Sequence, residues 1–223
     1  MPKTTRGKYR ALPGEWRGWL SLRLNGKLYS DLQQMLKQST STGCTYFELG
    51  LLYREILKTK PKRVLELGSG VSTLVLAHAA RKLQRSGHEC HVVSMEESEP
   101  YYTQLRGLLP PEAARYVDLI RSDVVERSFG SYIGRSYALT PKVVFDLVFI
   151  DGPQLERKAT YFDADILDVI ERNPKPFTAF LDGRKSTREI LAKIAPWLGI
   201  DYDPVHRWSR IAIPDHAART TQH

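Results

Sequence analysis

Five carboxylates stand at or near the ends of five apolar runs in this chain: Glu66, Glu96, Asp123, Asp151 and Asp182. The runs at 64–67, 91–95, 116–121, 143–150 and 177–181 read as strands, because Val, Ile, Leu and Phe dominate them and Gly, Pro, Ser and Asp punctuate the stretches between. One Asp after a strand is ordinary, since Asp favours βα turns and helix caps. Five in register place a row of acids along one sheet edge, and in open α/β sheets ligands bind beyond the carboxyl ends of the strands. Acids so placed can accept both hydroxyls of a sugar, take a proton, or ligate a hard cation.

The first run leads through Gly68-Ser69-Gly70 into a helical pattern with apolar Val71, Leu74, Val75 and Ala79. A strand that turns through glycines into a helix presents free N–H groups and a positive dipole end, which suit an anion or a carboxylate. A P-loop would end in Gly-Lys-Ser/Thr, which is absent here. A dinucleotide fingerprint would have its third glycine where Thr73 stands. Glu66, two places before the first glycine, would repel a pyrophosphate and suits a ligand that carries an ammonium group.

Glu66-x-Gly68-x-Gly70, continued by Ser72-Thr73, resembles motif I of the class I S-adenosylmethionine-dependent methyltransferases, whose third glycine falls where Ser72 stands. The resemblance covers about residues 45–185. It implies S-adenosyl-L-methionine as cofactor, held around the turn by Glu66, Gly68, Ser69, Gly70, Ser72 and Thr73. Glu96, in preference to its neighbour Glu97, would take the ribose hydroxyls. Asp123 would accept from the adenine amino group, with Ser122 and Val124 flanking the ring. Asp151 would face both methyl donor and acceptor.

Methyl transfer is an in-line displacement, so the enzyme must hold its nucleophile against the methyl carbon, and an oxygen nucleophile also needs a base or a metal. The Asn/Asp-Pro-Pro-Tyr/Phe motif of exocyclic-amine methyltransferases is absent; Asp151-Gly152-Pro153 stands in its place. Asp151 and Asp182 resemble the metal-binding acids of catechol-type O-methyltransferases, which use an Asp after strand four and an Asp-Asn pair after strand five. Here the pair is Asp182-Gly183, one oxygen ligand short. No residue is therefore assigned to a metal, and magnesium stays an option with water at the missing position. No histidine is placed as a base, and His78 inside a helical pattern reads as packing. Asp151 and Asp182 are the catalytic candidates. Arg184 and Lys185 put positive charge near the same edge and could bind an anionic acceptor, whereas Arg157 and Lys158 read as a solvated helix face.

The expected function is O-methylation of a small molecule or sugar. One alternative is a nucleic-acid (RNA) methyltransferase, and another is a non-catalytic S-adenosylmethionine- or nucleoside-binding protein. The RNA alternative comes from charge. The net charge of the 223 residues is +8, and residues 1–27 hold seven basic side chains against Glu15 alone, with Tyr9, Trp16 and Trp19 among them. Charge can neutralise phosphate and the rings can stack on bases.

A 42% hydrophobic fraction supports a real core. No apolar run approaches the ~20 residues that span a bilayer, and there is no signal-peptide core. Cys44 and Cys90 read as reduced thiols, which fits a cytoplasmic protein. Three segments are expected: a partly ordered basic arm at 1–27, N-terminal helices at 28–60, and the cofactor-binding domain at 61–216. Strands that alternate with helices imply a doubly wound α/β fold with a mostly parallel seven-stranded sheet. A hairpin within 201–216 supplies its antiparallel C-terminal strand, and the N-terminal helices extend this Rossmann-like methyltransferase fold. Residues 124–141 are weakly patterned and read as a loop or irregular helix that could form a lid. Phe162, Ile166, Val169 and Ile170 read as one helix face.

Overall fold

The computed structural model describes residues 13–40, 44–155 and 159–215. Its helices are α1 (Pro13–Arg23), α2 (Gly26–Gln38), α3 (Tyr46–Thr59), α4 (Val71–Arg85), α5 (Glu99–Leu108), α6 (Pro111–Ala114), α7 (Asp165–Arg172) and α8 (Lys185–Ile194). Its strands are β1 (Arg63–Leu67), β2 (His91–Glu96), β3 (Val117–Arg121), β4 (Val124–Phe129), β5 (Tyr132–Tyr137), β6 (Leu147–Ile150), β7 (Tyr161–Asp163), β8 (Phe177–Asp182), β9 (Gly199–Asp203) and β10 (Trp208–Ile213).

The main sheet has seven strands in the order β3-β2-β1-β6-β8-β10-β9, and β10 alone runs against the rest. Both faces are covered, so the central strands are buried on both sides rather than alternating between buried and exposed. Val64, Phe149 and Phe180 pack toward α1–α4, whereas Leu65, Val148 and Ile150 pack toward α7 and α8. Leu67 pairs with Met95 and with Ile150, and Ile150 pairs with Leu181. That register brings the ends of β1, β2, β6 and β8 to one edge, where Gly68, Glu96, Asp151 and Asp182 follow.

Helix α3 begins with a capping box. The Thr45 hydroxyl accepts from the Glu48 N–H, and the Glu48 carboxylate accepts from the Thr45 N–H. Helix α1 docks tightly on this start: a Cβ on Gly18 would lie 2.0 Å from the Tyr46 carbonyl oxygen. Buried Glu15 accepts from the Tyr46 and Phe47 N–H groups at 3.1 and 3.3 Å. Most of the described part of the expected arm is therefore a packed helix, with Trp19 7% exposed and its Nε1 donating to the Tyr29 hydroxyl. Tyr9 and residues 156–158, which include Arg157 and Lys158, lie outside the described residues.

Three expectations are corrected. Residues 124–141 are not a loop or irregular helix: β4 and β5 form an antiparallel hairpin, joined by β7 into a second sheet of three strands. The strand period was hidden because Val125, Glu126, Arg127 and Ser128 of the edge strand β4 are all exposed, so no apolar alternation remains to read. Phe162 lies in β7, not on a helix face, and α7 starts only at Asp165. The fourth strand covers only the second half of 143–150, because Phe145 is tied outside the sheet to the Asn173 side chain.

Candidate functional site

A cavity of about 390 Å³ opens at the shared strand edge, between the glycine turn, α5 and the loop after β6. Gly68, Ser69, Gly70, Glu96, Asp151, Gly152 and Arg184 lie in its wall. Gly68 has φ +93°, and a Cβ there would meet the Gly152 nitrogen at 2.6 Å. Glycine is required on both counts: the backbone is left-handed and the loop after β6 presses directly against it. The turn is braced to β2 as well, since the Gly68 N–H donates to the Met95 carbonyl and the Ser69 hydroxyl to Glu96 at 2.6 Å.

Glu96 is 4% exposed, and its other oxygen accepts from the Ser98 N–H. Burial raises its pKa, while the Ser69 and Ser98 hydrogen bonds oppose that rise. Glu97 has a different task. It accepts from the Tyr137 hydroxyl and from the Gln154 N–H, both at 2.7 Å, and so ties the second sheet and the post-β6 loop together. The opposite wall comes from α5, through Tyr101, Gln104, Leu105 and Leu108. Sequence reading missed this wall, although Tyr101, Leu105 and Leu108 at i, i+4, i+7 were its available signal.

At the β6–β8 end, Cys44, Asp151 and Asp182 each place one ligand-type atom within 4.8 Å of the others. Buried Glu48 lies in hydrogen-bonding reach of Asp182; burial and then the Asp182 charge raise its pKa. Arg184 is the cation among these acids, with its side chain 12% exposed. Its Nη1 donates to the Pro153 carbonyl at 2.7 Å and to Asp163 at 2.6 Å, and its Nη2 lies 3.9 Å from Asp151. Burial works against the guanidinium charge, but Asp163 and Asp151 outweigh it and the pKa is raised. Cys44 was read only as a reduced thiol, and Glu48 and Asp163 were not singled out from the sequence. The capping box Thr45-x-x-Glu48 was the only local hint to the first two.

The structure brings Gly68, Ser69, Gly70, Glu96 and Asp151 to one cavity and leaves the other candidates behind its wall or away from it. Glu66 is wholly buried beneath the turn, where it accepts from Thr73 at 2.6 Å and Ser94 at 2.5 Å, so Glu66 and Thr73 brace the turn. Ser72 is buried in the first turn of α4. Asp123 reaches outward, its side chain 81% exposed and paired with Arg121. The Ser122 hydroxyl is taken up by the Leu139 N–H, and Val124 starts the edge strand β4. Asp182 sits deeper than Asp151, at 4% exposure. His78 is packed as expected, 3.0 Å from Asp31 in the helical layer.

The donor set does not fit magnesium. That ion takes oxygen ligands in near-octahedral geometry. Gly183 offers no side-chain oxygen, the third donor of the cluster is the Cys44 thiol, and Glu48, the further acid beside Asp182, has its pKa raised to about 8. Burial, and then the charge of Asp151, hold that thiol well above its usual pKa and therefore protonated. A fixed guanidinium 3.9 Å from Asp151 would also repel a dication.

No protein-family model matches the chain, and no curated protein matches it in sequence. Its fold does match solved structures. The S-adenosylhomocysteine-bound methyltransferase PaMTH1 of Podospora anserina aligns at TM-score 0.57 and 15% identity, over 84% of this chain and 87% of that one. The cofactor-bound Rv0187 from MTB aligns at TM-score 0.60 and 16% identity, over 93% and 100%. An O-methyltransferase from Bacillus cereus, in complex with S-adenosylhomocysteine, aligns at TM-score 0.55 and 13% identity, over 91% and 100%. The chain has the Rossmann-like fold of the class I S-adenosylmethionine-dependent methyltransferases. Among the described residues, no helix is long and apolar enough to cross a membrane.

Proposed function

We propose that this protein is an S-adenosylmethionine-dependent methyltransferase that acts on an oxygen of a small molecule or sugar. The observation that carries the reading is the meeting of the glycine turn, Glu96 and Asp151 in one cavity large enough for a nucleoside cofactor. Ser69 and Gly70 lie at the positive dipole end of α4, which draws the cofactor carboxylate to the turn, while the Gly70 N–H itself donates to the Thr73 hydroxyl. Glu96 takes the ribose hydroxyls in preference to Glu97, because Glu96 is held against the glycine turn through Ser69, whereas Glu97 is tied to the second sheet and the post-β6 loop through Tyr137 and Gln154. S-adenosylmethionine supplies the methyl group, and Asp151 is the carboxylate at the exposed end of the site that can receive the acceptor's proton. Asp182 acts from behind it, in the buried pair with Glu48.

The small-molecule reading is preferred to RNA because Trp19, one of the rings available for base stacking, is built into the core. Titration calorimetry with S-adenosylmethionine and S-adenosylhomocysteine tests the proposal. Micromolar binding is expected, weakened by about 1–3 kcal/mol in Glu96→Ala and unchanged by added magnesium. Failure of both compounds to bind would sink the assignment.

A further inference from the structure

We propose that Arg184 stands where a dication would stand in catechol-type enzymes: the Nε–Nη2 edge of its guanidinium receives the acceptor oxygen beside Asp151, and the acceptor reacts as an oxyanion. This deepens the O-methyltransferase reading and rests on it.

Four observations carry the inference. Arg184 directly follows Gly183, the residue that leaves an oxygen ligand missing, and it shares the cavity wall with Gly68, Gly70 and Asp151. Its guanidinium is immobilised from behind, because Asp163, which holds Nη1, is itself wholly buried and accepts from the Thr187 hydroxyl at 2.5 Å. Its Nη2 approaches Asp151 only to 3.9 Å, too far for a hydrogen bond. Its Nε is buried with no hydrogen-bond partner. Arg121 and Arg135 also keep Nε without a hydrogen bond, but each has a carboxylate within 3.6 Å of that atom. No such carboxylate pairs with Nε of Arg184 among the described residues.

In a planar guanidinium, the Nε–H and one Nη2–H are parallel and form the fork that grips oxygen pairs. A buried N–H without an acceptor is costly, and a ligand oxygen in the fork removes that cost. The fork selects for negative charge on the attacking atom, which a phenolate or a carboxylate supplies. With a phenol, the O–H proton passes to the Asp151 carboxylate. The oxygen then forms its bond to the methyl carbon as the sulfur–methyl bond breaks, and the sulfonium becomes a thioether. With a carboxylate, the same exchange occurs and no proton moves.

The test uses ¹⁵N-labelled full-length protein loaded with S-adenosylhomocysteine in the presence of EDTA. The Arg184 Nε–H resonance, assigned by its absence in Arg184→Lys, is followed during titration with 4-nitrophenol and, separately, with acetate. One probe is expected to shift that resonance downfield to saturation and to bind Arg184→Lys about tenfold more weakly, since lysine keeps the charge beside Asp163 but has no fork. A response to 4-nitrophenol identifies a phenol-type acceptor, and a response to acetate a carboxylate. The inference is overturned if neither probe moves the resonance, if the shift requires an added divalent cation, or if Arg184→Lys binds equally well. Failure to load S-adenosylhomocysteine would instead overturn the methyltransferase reading itself.

Discussion

The two ends of the cavity are built in different ways. The β1–β2 end comes from two nearby pieces of chain, 66–73 and 94–98, and its contacts are short and mutual: Glu66 holds Thr73 and Ser94, Ser69 holds Glu96, and Gly68 hangs from Met95. The β6–β8 end gathers Cys44, Glu48, Asp151, Asp163, Asp182 and Arg184 from four separate stretches. The first end is a local device that any chain with this fold can carry as a unit. The second is composite, so its chemistry is specific to this chain. The two touch where Gly68 and Gly152 pack backbone to backbone.

Breaking that contact should produce the largest effect. Gly68→Val adds a β-branched side chain where φ is +93° and where a Cβ would fall 2.6 Å from Gly152. Backbone strain and overpacking together predict a loss of about 4 kcal/mol and loss of cofactor binding. Thermal unfolding and calorimetry check this; an unchanged melting temperature would show that the two ends are not mechanically joined there.

A pH series isolates the local end when it is compared with Glu66→Gln, because burial raises Glu48 and Asp163 of the composite end as well. Burial raises Glu66 from 4.5 to about 7, against the pull of the Ser72, Ser94 and Thr73 hydroxyls. Below pH 4.5 the folded and unfolded chains both hold the proton. Between pH 4.5 and 7 only the folded chain holds it, so this group's contribution falls as pH rises, by about 3 kcal/mol in all, and is constant above 7. Glu66→Gln should flatten that part of the stability profile. Parallel profiles for the two proteins would refute the assignment.

The contrast between the two ends also explains what was legible in the sequence. Gly68, Ser69, Gly70 and Glu96 were readable because each follows its strand within a residue or two and the strand order fixes the rest. Asp151 was readable for the same reason. Asp123 obeyed the same positional rule, yet its exposed side chain pairs with Arg121, the last residue of β3. Arg184 was visible only as charge near an edge. Its fork has meaning only once Asp163, from a strand hidden in a helical reading, and the Pro153 carbonyl have taken Nη1. Cys44 and Glu48 precede the first strand, and α1 and α3 must pack before either reaches the site. The hairpin β4–β5 was lost because its edge strand carries polar side chains over most of its length.

Asp163→Asn sharpens the comparison by weakening the composite end and sparing the local one. Asparagine keeps an oxygen for the Thr187 hydroxyl but removes the charge that holds Arg184, so about 2 kcal/mol of stability should be lost. S-adenosylhomocysteine affinity should stay within about twofold, since the side-chain partners of Asp163 among the described residues, Arg184 and Thr187, stand away from the β1–β2 end. A large fall in that affinity would mean that the two ends are coupled beyond the glycine contact.

The smallest effect is expected farthest from the chemistry. Glu15, on α1, accepts from the Tyr46 and Phe47 N–H groups and so serves the N-terminus of α3 alongside the Thr45–Glu48 capping box. Glu15→Ala should cost about 1 kcal/mol, the usual size of a lost helix cap. Its consequence for the site is more informative than its size. Glu48 is the third residue of α3, and its carboxyl faces Asp182. A start of α3 that frays should therefore loosen Cys44 and the Glu48–Asp182 pair while Glu96 and the glycine turn stay in place. Hydrogen exchange would show this as faster exchange at the Tyr46 and Phe47 amides, with Gly68 and Ser98 unchanged. Faster exchange at all four would mean that α1 supports the whole strand edge, and the division between a local and a composite end would not hold.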